Sequence, residues 1–104
     1  MEKQSPIPAI VGSFAPKIAE LTDDVLFGDI WERPGPSPRD RSLITVSALI
    51  MGGNVEQLPG HLVRALANGV TESELSELVT HLAFYAGWPK ALSAVTVART
   101  VLEK

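Results

Sequence analysis

The chain contains no cysteine in its 104 residues. Without a thiol it can form no disulfide, no thiolate nucleophile and no sulfur-ligated zinc or iron–sulfur centre. Histidine is scarce as well: only His61 and His81 carry a side chain that ordinarily titrates near neutral pH. Long apolar runs are missing. The longest, LITVSALIM at 43–51, falls well short of the roughly 20 residues that a membrane-spanning helix needs. The first stretch, MEKQSPIPAIVGSF, lacks the apolar centre of a secretory signal, so a cytoplasmic protein is expected. There is no surplus of positive charge. Nine Lys and Arg against twelve Asp and Glu leave a net charge of −3, with both signs dispersed. Neither nucleic acid nor a membrane surface is therefore expected as a partner.

Several site motifs are absent too. GGN at 52–54 follows a helical pattern rather than a strand, the wrong context for a phosphate-binding loop. No Ser-centred nucleophile elbow occurs. The two histidines have no HxxH or HxxE partner within one helical turn, so no metal and no cofactor is expected.

What is present is apolar and helical. Apolar residues make up 45% of the chain, which is high for one small domain. A domain of this size leaves much of its surface uncovered, and an oligomer is the simplest remedy. Residues 1–15, with Pro6, Pro8 and Gly12, read as an extended arm. The remainder, 16–104, reads as one all-α domain of five helices. Pro16 opens the first, and Ile18, Leu21, Val25 and Leu26 carry it to about Phe27 at three- and four-residue spacing. GDIWERPGP then breaks it. Ser37 caps a second helix, Pro38 takes its first position, and it stops at Gly52-Gly53. That helix is apolar on nearly all sides, so it should lie at the centre. A third helix runs from Val55 or Glu56 to Asn68 and ends at Gly69. Thr71 and Glu74 form a capping box for the fourth, which ends at Gly87. Pro89 opens the fifth, whose small residues Ala91, Ser93, Ala94 and Ala98 permit close helix approach. Its few charges point to a subunit contact.

The polar groups able to do chemistry are few. Gln57 and His61 stand four residues apart and share a helix face, so the amide can orient the imidazole or hold a substrate oxygen. The plain alternative is a partly exposed helix end. Glu77, His81 and Tyr85 form a second stripe. It reads as a relay or pocket wall, or as a buried histidine bonded to a carboxylate with no chemical role. Trp31, Tyr85 and Trp88 can line a small-molecule pocket or anchor an interface. Arg41 can hold a carboxylate through two parallel hydrogen bonds, or serve in a structural ion pair.

Two stretches, WERPGPSPRDRSLITVSALIMGGN and EQLPGHLVRALANGVTESELSELVTHLAFYAGWPKA, resemble the carboxymuconolactone decarboxylase family. The likeness covers about positions 14–104. Its most specific parts are Trp31-x-Arg33-Pro34-Gly35, His61-x-x-x-Ala65-Leu66-x-Asn68-Gly69-x-Thr71 and Tyr85-Ala86-Gly87-Trp88-Pro89. The resemblance implies an alkylhydroperoxidase D-like helical fold that assembles as a homo-oligomer, a trimer or a hexamer, with pockets near subunit interfaces. Two activities are known among relatives: decarboxylation of 4-carboxymuconolactone in aromatic catabolism, and a thiol peroxidase using Cys-x-x-Cys followed four residues later by His. Aligned on His61, the two cysteine positions fall at Asn54 and Gln57, which excludes the peroxidase chemistry. By resemblance, His61 becomes the proton donor of a cofactor-free decarboxylase, with Gln57 positioning it or the lactone oxygen. Arg41, or else Arg33, supplies the cation for an acidic small-molecule substrate. Decarboxylase relatives often have a carboxylate at the position of Gln57, which cannot itself act as a general acid. A non-catalytic oligomeric binding or scaffold protein of the same fold is the alternative.

Overall fold

A computed structural model describes residues 11–103. Most of the arm expected over 1–15 thus lies outside the described residues. The described chain is helical and without strand, in two compact units that divide between Gly35 and Pro36.

The N-terminal unit holds α1, Pro16–Leu21, which runs without a break into a π-helical turn, Thr22–Phe27. The sequence pattern reaches Phe27 as expected, but the final turn is wider than an α-helix. Thr22 donates its hydroxyl to the Ile18 carbonyl at 2.7 Å, a local bond that competes with regular helix bonding. Gly28 closes the turn so tightly that a Cβ there would lie 2.7 Å from the Asp24 carbonyl oxygen. A short 3-10 turn, Ile30–Glu32, comes next and stacks Trp31 on Phe27 with ring centroids 5.8 Å apart.

The second unit is a four-helix arrangement: α2 Pro38–Gly52, α3 Leu58–Ala67, α4 Glu72–Ala86 and α5 Trp88–Leu102. Each boundary has a chemical cause. The Ser37 hydroxyl accepts the Asp40 backbone N–H at 3.1 Å and caps α2. Gly53 adopts φ +70° and lets Asn54 N–H bond back to the Leu49 carbonyl at 2.9 Å, which ends the helix. The Thr71–Glu74 capping box is present in full at the start of α4. Within this unit α3 begins at Leu58 rather than Val55 or Glu56 and ends at Ala67 rather than Asn68, and α5 begins at Trp88, one residue before Pro89. A helix begun at Val55 or Glu56 would carry Pro59 too deep, where its missing N–H removes a bond and its ring meets the preceding turn.

As its apolar pattern requires, α2 packs against all three other helices of the unit. Val46 and Ile50 of α2 meet Leu58, Leu62 and Ala65 of α3, Leu75, Val79 and Ala83 of α4, and Ala91 and Ala94 of α5. The buried alanines let α5 lie close to its neighbours. Polar ties fix the ends. Asn68, at the end of α3, donates to the fully buried Ser42 hydroxyl at 3.0 Å and to the Pro38 carbonyl at 3.4 Å. Arg39 of α2 pairs with Glu74 of α4. Lys90 of α5 donates to the Met51 carbonyl at 2.8 Å.

Candidate active site

The geometry of α3 sets one polar stripe beside the core stripe. Leu58, Leu62 and Ala65 are buried and hold the helix in the unit. Gln57, His61 and Arg64, at spacings of four and three, share the adjoining face. Gln57 occupies the N-cap position with φ −90° and ψ −16° but makes no side-chain cap, so its exposed amide is not committed to the helix end. His61 is half-buried, and its Nδ1 is sealed from solvent. Burial lowers its pKa from the ordinary histidine value, and the positive charge of Arg64 lowers it further. The imidazole is therefore neutral at pH 7. Arg64 is also half-buried, and loss of solvent lowers its own pKa without removing its charge.

Arg64, which the sequence did not single out, is the cation whose charge adds to burial in lowering the His61 pKa. Arg41, in the first turns of α2, is half-buried with its Nε sealed from solvent. Its neighbour Arg39 is the one engaged in the ion pair with Glu74. That pair and the Thr71 N–H hold the Glu74 carboxyl below the usual range, the backbone bond contributing most.

The second stripe is elsewhere. His81 is exposed, not buried, and its ring lies 5.1 Å from that of Tyr85 at a tilt of 33°. With Glu77 it lines an open groove whose opposite wall is Leu43 and Ser47 of α2. His61 is not among the residues that line this groove. Trp88 sits edge-on to Phe84, centroids 5.4 Å apart, and both face outward with Tyr85. Trp31 belongs to the N-terminal unit, on Phe27.

A cavity of about 270 Å³ opens among α2, α3, α4 and α5. On α3 it is lined by Leu58 and Leu62, not by Gln57 or His61. Its rim carries Glu72, Arg99 and Glu103, the last two paired at 3.2 Å. Among the described residues no group of three or more His, Asp or Glu side chains is arranged to hold a metal ion. No helix among them is long and apolar enough to cross a membrane.

The sequence profile of the carboxymuconolactone decarboxylase family matches residues 16–100. Among characterised relatives, a 4-carboxymuconolactone decarboxylase of Acinetobacter baylyi is 39% identical over 77 residues, covering 74% of this chain and 58% of its own length. A nitrosuccinic acid decarboxylase of Metarhizium robertsii is 36% identical over 83 residues, covering 80% of this chain and 58% of its own. An uncharacterised 15.0 kDa protein of Paracoccus denitrificans is 29% identical over 80 residues, with 75% and 60% covered. The chain thus spans about three-fifths of the length of the relatives it matches.

Proposed function

Since the chain belongs to the carboxymuconolactone decarboxylase family, we propose that it removes CO2 from a small carboxylic acid without a cofactor, with His61 exchanging the proton. The observation that carries this reading is the α3 stripe. A half-buried imidazole and a half-buried guanidinium share one helix face with an amide that makes no helix cap. The two decarboxylases among its relatives act, by their names, on different acids, so the substrate proposed is a class: a small acid of the lactone or nitro-acid kind.

The proton chemistry depends on the surroundings of His61. Loss of CO2 leaves an electron pair on carbon, which must be delocalised and then protonated. In the free protein burial and Arg64 keep the imidazole neutral. An anionic substrate brings negative charge beside it, which favours the imidazolium. Binding of the acid thereby charges the proton donor, and in this reading Gln57 orients the imidazole or a substrate oxygen. Sulfur chemistry has no part, because the chain has no cysteine. The soluble setting assumed is the cytoplasm.

The test is CO2 release from 4-carboxymuconolactone and from nitrosuccinic acid, with His61→Ala in parallel. Turnover that vanishes in a variant with unchanged assembly supports the reading. Equal turnover by wild type and variant removes His61 from the mechanism. Absence of turnover on both acids leaves the binding or scaffold role.

A further inference from the structure

The decarboxylase mechanism gives Arg64 no role beyond its effect on His61, and the role inferred for it here rests on that mechanism. Arg64 is distinguished by its position. It lies one turn after His61, where side chains three apart on a helix have Cβ atoms about 5–6 Å from each other. It is half-buried on the same face. A guanidinium stays charged when partly desolvated, and its field acts more strongly there than in water.

Where such a charge helps depends on how charge moves. In decarboxylation the C–C bond to the carboxyl breaks, neutral CO2 leaves, and the bonding pair stays behind. A cation clamped on the departing carboxylate stabilises the starting state more than the transition state, and so opposes the reaction. A cation on the retained portion, where negative charge collects, favours it. We propose that Arg64 binds an oxygen of the retained portion of the substrate, conjugated to the carbon that loses CO2, and stabilises the anion that His61 then protonates.

This defines the substrate class: acids whose carboxyl-bearing carbon is conjugated to a carbonyl, lactone or nitro oxygen. Loss of CO2 gives an enolate or nitronate on Arg64. The imidazolium delivers its proton to carbon and recovers one from water. The net change is one carboxylate and one proton converted to one C–H bond and CO2. The competing account is that Arg64 only complements the carbonyl end of α3, where it is the basic residue of the last turn.

The experiment has two arms, on wild type, Arg64→Met and Arg64→Lys. The first follows binding of ethyl nitronate, pre-ionised from nitroethane, by its effect on the NMR signals of the His61 ring. Wild type should bind, Arg64→Met should bind about tenfold more weakly, and Arg64→Lys should recover much of the loss. Nitronate binding that ignores the Arg64 charge, or no binding by wild type, overturns the inference whatever the turnover. The second arm measures kcat and KM on the two acids. Arg64→Met should lower kcat about 100-fold with a smaller change in KM, the mark of charge stabilised mainly in the transition state. A rise in KM at unchanged kcat overturns it. If wild type binds nitronate through Arg64 yet turns over neither acid, the decarboxylase reading falls while the oxyanion site stands.

Discussion

At the scale of single residues, the titration of His61 gives the most direct check. Its folded pKa lies below the ordinary value, through burial first and Arg64 second. In the unfolded chain it titrates at about 6.5. Between those two values the unfolded state binds more protons, so stability rises with pH across the window. The contribution is present above pH 6.5 and is lost as pH falls through the folded pKa. Chemical denaturation at a series of pH values should therefore show wild type weakening below about pH 6.5. His61→Gln should flatten that part of the curve, and Arg64→Met should raise the His61 pKa seen by NMR. The spacing of Gln57 and His61 was legible in the sequence, because i and i+4 on a helix leave no freedom in relative placement. Arg64 was not, because a basic residue in the last turn of a helix already has a sufficient cause. The exposure of His81 could have been read. Leu75, Val79 and Ala83 form the buried stripe of α4, and Glu77, His81 and Tyr85 stand two residues out of step. Two residues on a helix are about 200° apart, so one stripe inward puts the other outward.

At the scale of elements, local chemistry explains why the helix ends were predictable. Serine, threonine, proline and glycine act within one turn of where they stand, so Ser37, Gly53 and the Thr71–Glu74 box needed no tertiary information. The π-helical turn at Thr22–Phe27 left no such mark. Its apolar spacing fits an α-helix equally well, and only the folded backbone shows why Gly28 comes next. The link between elements through Asn68 was also invisible, since it joins positions 26 residues apart. Asn68→Ala should leave the buried Ser42 hydroxyl without its donor and cost about 1–3 kcal/mol. Thr71→Ala removes a cap and should cost about 1 kcal/mol. Thermal unfolding of the two single variants would check both. An Asn68→Ala variant as stable as wild type would show that the tie between α2 and α3 contributes nothing.

At the scale of the molecule, the apolar content of the sequence exceeded what one small domain can hide, and the structure locates the excess. Phe84 is 75% exposed, Tyr85 69%, Leu92 57% and Trp88 55%, forming a ridge where α4 passes into α5. Ile44 of α2 and Val63 of α3 are exposed at 59% and 56%. Scattered apolar side chains on a surface need no explanation, but adjoining aromatic ones seldom remain in water. Which faces would be left over could not be read from a sequence whose α2 is apolar all round, because that choice is made by the packing of four helices together. We expect the chain to self-associate through the ridge. Sedimentation velocity should give a mass that is a multiple of 11.1 kDa. Phe84→Ser with Leu92→Ser should shift it to the monomer while far-UV circular dichroism stays unchanged. Because the ridge is apolar, raising salt from about 0.1 M to 1 M, which shortens the screening length from about 10 Å to 3 Å, should not dissociate the assembly. Dissociation by salt would instead assign the contact to charged residues. A wild-type monomer would mean that the aromatic ridge is bare in solution. The activity of the double variant then separates two cases. If turnover survives in the monomer, the His61 stripe is complete within one chain. If it is lost while His61 keeps its lowered pKa, a neighbouring copy supplies the missing wall.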